Sequence, residues 1–110
     1  MTRAGQQLPL ALRNSLSMLE TLTDREMTVL RMLAVGMDNR AMAWHLRIRE
    51  ATVKRHMTTL LAKLGLTSRL QAGLVAFAVC LDGTLTWYEG APESAPYHIG
   101  VRLTPRATPG

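Results

Sequence analysis

The 110 residues suffice for one domain with a core of modest size, and a second domain is not expected. Lysine plus arginine outnumber aspartate plus glutamate by 13 to 8, a net charge of +5, which favours a polyanionic partner. The lone Cys80 excludes an intrachain disulfide and a cysteine-held zinc, the histidines His45, His56 and His98 lack metal-pair spacing, and no carboxylate pair or Ser/His/Asp set suggests catalysis, so neither enzyme nor cofactor is expected.

Residues 1–17 read as an N-terminal extension, partly helical, with Leu8, Leu12, Leu16 and Leu19 near one face and Pro9 tolerable in a first turn. Residues 18–83 then read as the domain proper. Thr23 and Glu26 have the spacing of a capping box, which predicts a helix over 24–35 with Met27, Leu30, Leu33 and Ala34 inward and Gly36 ending it. Asp38 is placed to cap a short helix that packs Ala41, Met42, Ala43 and Leu46 and stops near Arg47, with Ile48 filling a tight turn.

Residues 50–64 carry two stripes. Val53, Met57, Leu60, Leu61 and Leu64 fall on one side of a helix that stops at Gly65, and Ala51, Lys54, Arg55, Thr58 and Ala62 fill the other. Short outward side chains beside two cations would let this helix approach a major groove, although a solvated surface helix fits the same pattern. The positive charge is local: Arg40, Arg47, Arg49, Lys54, Arg55, Lys63 and Arg69 lie near this segment, against the single acidic Glu50.

Ser68 and Gln71 form a second capping box that opens a helix running to about Leu81. Four helices joined by short turns make a compact all-α unit. The last of them has almost no polar face, so one side should meet the core and the other a partner. Gly73, Leu74, Ala76, Phe77, Cys80 and Leu81 are the expected contact of a homodimer, burial within a larger monomer being the alternative; Cys80 itself reads as a buried structural thiol.

Residues 84–110 are rich in proline and glycine and read as a flexible tail or short hairpin, with weak strand character in 84–88 and 98–103. Trp87, Tyr88 and Tyr97 leave open a docking role against the last helix. No signal peptide is evident and the apolar run from Gly73 to Leu81 is too short to span a bilayer, so no membrane partner and a cytoplasmic, nucleoid-associated location are expected.

Leu22-Thr-Asp-Arg-Glu26, Val29-Leu-Arg-Met-Leu33, Gly36-Met-Asp-Asn-Arg-Ala-Met-Ala43, Leu46-Arg-Ile48, Thr52-Val-Lys-Arg-His56, Lys63-Leu-Gly-Leu66 and Ser68-Arg-Leu-Gln-Ala72 stand in fixed order. Together they resemble the LuxR-type (GerE, NarL/FixJ) helix-turn-helix domain across roughly residues 18–83. The resemblance implies a bacterial transcription regulator that binds double-stranded DNA, with a helix-turn-helix at about 39–58, residues 50–64 as recognition helix and the last helix as dimer contact. It carries DNA contact onto Thr52 and Lys54 and sequence reading onto Arg55 and Thr58, and His56 is read as a backbone or phosphate contact; Arg47 and Arg49 are expected to join them, Arg49 as a phosphate contact in place of a cap.

This chain departs from the family pattern at Arg49, where Ser or Thr usually caps the recognition helix, and at Trp44 and His45 on the positioning helix. The missing cap is worth ~1 kcal/mol, partly offset by Glu50 acting on the helix dipole. Only about 20 residues precede the domain, which leads to the expectation of a stand-alone regulator without a receiver or ligand-binding domain. The competing expectation is a protein-interaction module that acts on RNA polymerase or another regulator through Trp44 and the last helix without reading DNA.

Overall fold

A computed structural model describes residues 9–89, apart from the side chains of Ala11 and Leu12. In chain order it contains α1 (Leu10–Ser17), a 3-10 turn (Leu19–Thr21), α2 (Asp24–Ala34), α3 (Asn39–Leu46), α4 (Glu50–Leu64) and α5 (Arg69–Leu81), with no strand among the described residues. Thr84 to Tyr88 therefore form no hairpin strand, and the expected strand at 98–103 lies outside the described residues.

The helix boundaries follow from local chemistry. At the start of α2, Thr23 Oγ1 accepts from the Glu26 amide at 3.1 Å and Glu26 Oε1 accepts from the Thr23 amide at 3.0 Å. The Ser68/Gln71 box does the same for α5, and Asp38 accepts from the Ala41 amide at 2.8 Å to open α3. Gly36 (φ 82°) follows the end of α2 and Gly65 (φ 68°) caps α4, both in the left-handed region that side chains with a Cβ disfavour. At Gly65 nothing lies within 4 Å of an added Cβ, so backbone conformation and not space selects glycine there.

The core is built from Val29, Leu30 and Met32 of α2, Met37 before α3, Met42 of α3, Val53, Leu60 and Leu64 of α4, and Val75 and Ala76 of α5. On α4 the expected stripe is buried at Val53, Met57, Leu60 and Leu64, with Leu61 half-buried at its margin. On α2 the expected face is too narrow and too far round. Met27 and Ala34 are only half-buried, whereas Val29 and Met32 are fully enclosed, because α4 and α5 both pack against α2 and together cover more than one stripe.

Two flanking segments join this core. α1 packs on α4 and α5, so residues before 18 share in the packing. Its most buried described residue is Ser15, whose Oγ donates to the Leu64 carbonyl at 2.6 Å and so satisfies an acceptor at the C-terminus of α4. Beyond α5, Leu85 and Tyr88 pack against the core, the Leu85 amide donates to the Val79 carbonyl, and Arg31 donates to Thr86 Oγ1 at 3.0 Å. This first part of the expected flexible tail is thus laid back on the domain.

Candidate nucleic-acid interface

The turn between α3 and α4 is set by Arg47. Its φ of 58° puts it in the left-handed region, where no other non-glycine residue among those described is found. That conformation lets the Ile48 amide reach the Ala43 carbonyl (3.1 Å) while the Arg47 amide reaches that of Trp44 (3.3 Å), closing a Schellman-type end. An arginine accepts ~1 kcal/mol of backbone strain at this position. In return an exposed cation stands at the turn, directly before α4.

Arg49 is the N-cap of α4 in extended conformation and makes no side-chain cap hydrogen bond, as the sequence leads one to expect. Its carbonyl accepts from the amides of Thr52 and Val53 at 3.0 and 3.1 Å, but no side chain serves the first-turn donors. Such a helix start, with Glu50 as its acidic first-turn residue, keeps amide dipoles directed at whatever lies in front of it. Arg49→Ser should raise stability by ~1 kcal/mol through the restored cap while weakening binding to duplex DNA. Thermal unfolding and DNA titration measure the two effects, and an unchanged affinity would remove Arg49 from the interface.

Along α4, Ala51, Lys54, Arg55, Thr58 and Ala62 are exposed, with Thr52, His56 and Thr59 half-buried at the edges of that face. Thr58 Oγ1 donates to the Lys54 carbonyl at 3.0 Å, which fixes its rotamer and leaves its acceptor capacity outward. Of the expected contacts, Arg47 and Arg49 therefore lie on the turn before α4, Lys54, Arg55 and Thr58 on its exposed side, and Thr52 and His56 at the margins of that side. Val53, Met57 and Leu60 anchor the opposite side to the core.

Two cations counted with this cluster on the sequence serve the fold instead. Lys63 donates to Glu26 Oε1 at 2.7 Å and to the Thr21 carbonyl at 3.2 Å. Arg69 donates to Asn39 Oδ1 at 2.6 Å and to the Met37 carbonyl, and burial pulls its guanidinium pKa down while nearby Asp38 acts the other way. Nothing in their local sequence separates a cation tied to a distant carbonyl from a solvated one.

α5 divides the residues expected at a dimer contact into a buried and an exposed set. Ala76 and Cys80 are buried in the chain's own core with Ala72, Val75 and Val79. Gly73 is half-buried, and a Cβ there would stand 3.8 Å from the Leu33 carbonyl of α2. The outward ridge consists of Leu70 (71% exposed), Leu74 (54%), Phe77 (46%) and Leu81 (65%). Small residues face α2 because the two helices lie close, and the bulky ones are left outside. Phe77 meets Trp87 edge-on, with ring centroids 5.4 Å apart.

At the other end of α3, Trp44 is 40% exposed and stands edge-on to His45 (5.0 Å), which in turn meets the Tyr88 ring at 6.1 Å. His45 Nε2 is buried without a hydrogen-bond partner, and burial lowers the histidine's pKa. No group of three or more metal-ligating side chains occurs among the described residues.

The family model of bacterial regulatory proteins, luxR family, matches residues 20–76, which contain all of α2, α3 and α4 and most of α5. The chain belongs to the LuxR family. Among its relatives, the nitrate/nitrite response regulator protein homolog of Haemophilus influenzae is 49% identical over 59 residues, covering 54% of this chain and 28% of that protein. The DNA-binding transcriptional activator DevR/DosR of Mycobacterium tuberculosis is 43% identical over 58 residues (53% of this chain, 27% of the other), and the nitrate/nitrite response regulator protein NarP of Escherichia coli is 46% identical over 54 (49% and 25%). The LuxR-family chain thus spans less than a third of the length of these relatives, and no solved structure gives a match. Family membership places it among regulatory proteins and not among enzymes. No single helix among the described residues is long and apolar enough to cross a membrane.

Proposed function

We propose that this chain is a sequence-specific, DNA-binding transcription regulator that acts on the nucleoid and binds a pseudo-palindromic site as a homodimer. The observation that carries this reading is the two-sided α4: one side is locked into the core by Val53, Met57 and Leu60, and the other presents Lys54, Arg55 and Thr58 between small residues. Ala51 and Ala62 let the backbone approach a major groove while the longer side chains reach base edges and Arg47 and Arg49 meet phosphate. The similarity to a relative named as a DNA-binding transcriptional activator supports the same reading.

Dimerisation is assigned to the ridge of Leu70, Leu74, Phe77 and Leu81, because an all-apolar surface stripe on one helix is hidden most simply by a symmetric copy of itself. Two recognition helices would then enter successive major grooves about one helical turn apart. Leu74→Glu should abolish the dimer seen by analytical ultracentrifugation and reduce affinity for a paired site by more than about tenfold, leaving the monomer folded because Leu74 lies outside the core.

Selection from random duplex followed by competition titration tests the sequence-specific claim. The selected site should outcompete random duplex by about a thousandfold or more at physiological salt, and equal affinity for both would refute specific recognition.

A further inference from the structure

The observations on α3 and α5 belong to opposite ends of one arrangement. Arg69, the first residue of α5, grips the start of α3 through Asn39 Oδ1 and the Met37 carbonyl, on either side of the capping residue Asp38. Tyr88, beyond the end of α5, meets His45 in the last turn of α3. The segment that carries Tyr88 is itself tied down at several points: Leu85 to Val79, Thr86 to Arg31 of α2, and Trp87 to Phe77 on the apolar ridge.

We propose that α5 and its C-terminal extension clamp α3 at both ends, with Arg69 and Tyr88 as positioning residues that set the angle between the apolar ridge and the DNA-facing helix α4. Neither residue is in the group assigned to touch DNA. α3 is short and α4 is its principal packing partner, so the way α3 is seated bears directly on the tilt of α4, which also packs on α2 and α5. A forked guanidinium holding two acceptors fixes direction as well as distance, which a single nonpolar contact does not. The edge-on His45–Tyr88 ring pair adds a second point of contact at the far end of α3.

In a dimer joined through the ridge, that angle determines how far apart the two α4 helices lie. The clamp therefore governs which half-site spacing is accepted and not how tightly one half-site is held. This inference rests on the dimer reading proposed above.

The test uses the full chain and duplexes bearing either one selected half-site or two, with the centre-to-centre spacing stepped by single base pairs. Wild type, Arg69→Gln, Arg69→Lys, Tyr88→Ala and Tyr88→Phe are titrated by fluorescence anisotropy, and thermal unfolding of each is recorded. Wild type should prefer one spacing over its neighbours by about tenfold, whereas Arg69→Gln and Tyr88→Ala should reduce that preference to about threefold or less while half-site affinity stays within about twofold. Tyr88→Phe, which keeps the ring, should retain the wild-type spacing profile, and Arg69→Lys, which keeps charge without the fork, should not. If Arg69→Gln fails to fold, Tyr88→Ala still decides the matter. A wild-type preference that persists in the folded variants overturns the clamp alone. A wild type indifferent to spacing overturns the paired-site reading and the clamp with it.

Discussion

Lys54→Ala should weaken binding to the selected site by ~1–3 kcal/mol and flatten the dependence of log K on log salt by about one unit. Lys54 lies on the exposed side of α4, next in sequence to fully buried Val53, so its ammonium is carried on a helix that cannot roll away from its seat. Alanine is a strong helix former and an exposed substitution of this kind changes stability by less than about 0.5 kcal/mol, so any loss of affinity reports on the interface. Arg55→Ala and Thr58→Ala should behave differently, relaxing preference at particular base pairs with a smaller change in salt slope. The measurement is a salt titration of each variant against the selected site and against random duplex. An unchanged slope for Lys54→Ala would remove it from the phosphate contacts, and a parallel loss on both duplexes for Arg55→Ala would make Arg55 a phosphate ligand and not a reader of bases.

Helix positions in this chain are written in short-range chemistry, which is why they are readable from sequence. The pairs Thr23/Glu26 and Ser68/Gln71, the cap at Asp38 and the left-handed Gly36 and Gly65 each act over a few residues, and all five occur as the sequence predicts. The apolar side of α4 is equally legible because polar residues occupy the other side. α5 has no such contrast. With apolar residues all round, side-chain volume decides its orientation: Ala72, Val75, Ala76 and Val79 fit against α2, while Leu70, Leu74 and Phe77 do not. Long-range polar ties leave no periodic signal either. Ser15 reaches Leu64, Lys63 reaches Glu26 and Arg69 reaches Asn39 across separations of 49, 37 and 30 residues, and composition counts each of these side chains as ordinary surface.

The group proposed to face DNA is consequently smaller and better defined than the cation count implies. With Lys63 and Arg69 committed internally, the exposed positive side chains of the turn and α4 are Arg47, Arg49, Lys54 and Arg55. Two of the seven expected contacts depend on features of the turn or cap and not on the helix stripe: Arg47 requires a left-handed residue and Arg49 an unsatisfied helix start, while Thr52 and His56 sit at the margin where the helix meets the domain. The strain at Arg47 and the absent cap at Arg49 both lie where an anion is proposed to bind, a common location for local departures from best stability.

Glu26→Ala should destabilise the fold by ~2–4 kcal/mol at neutral pH, combining loss of an N-terminal box with loss of an ion pair whose acidic member is buried. Glu26 Oε1 accepts from the Thr23 amide and from Lys63 Nζ, so one carboxylate closes the start of α2 and joins it to the end of α4. Lys63 also donates to the Thr21 carbonyl, which brings the segment before α2 into the same junction. The lysine side chain is 32% exposed against 7% for the glutamate, so water relieves part of the charge left behind and the cost stays below that of a wholly buried pair. Burial by itself would push the Glu26 carboxyl upward in pKa, but the hydrogen bond and charge of Lys63 and the Thr23 bonds outweigh it and hold the group below its ordinary value. A carboxyl depressed in the folded state contributes stability that is present above the unfolded value of about 4.3 and is lost as pH falls through the lower folded value. The difference between wild type and Glu26→Gln, which keeps an acceptor for the Thr23 amide but no charge, should therefore be full at pH 7 and shrink in urea unfolding below about pH 4. A gap that stays constant into that acid range would mean that the stabilisation comes from packing and capping alone. One that closes would assign the ion pair its own share in fixing α4, and with it the helix proposed to read DNA, against the rest of the domain.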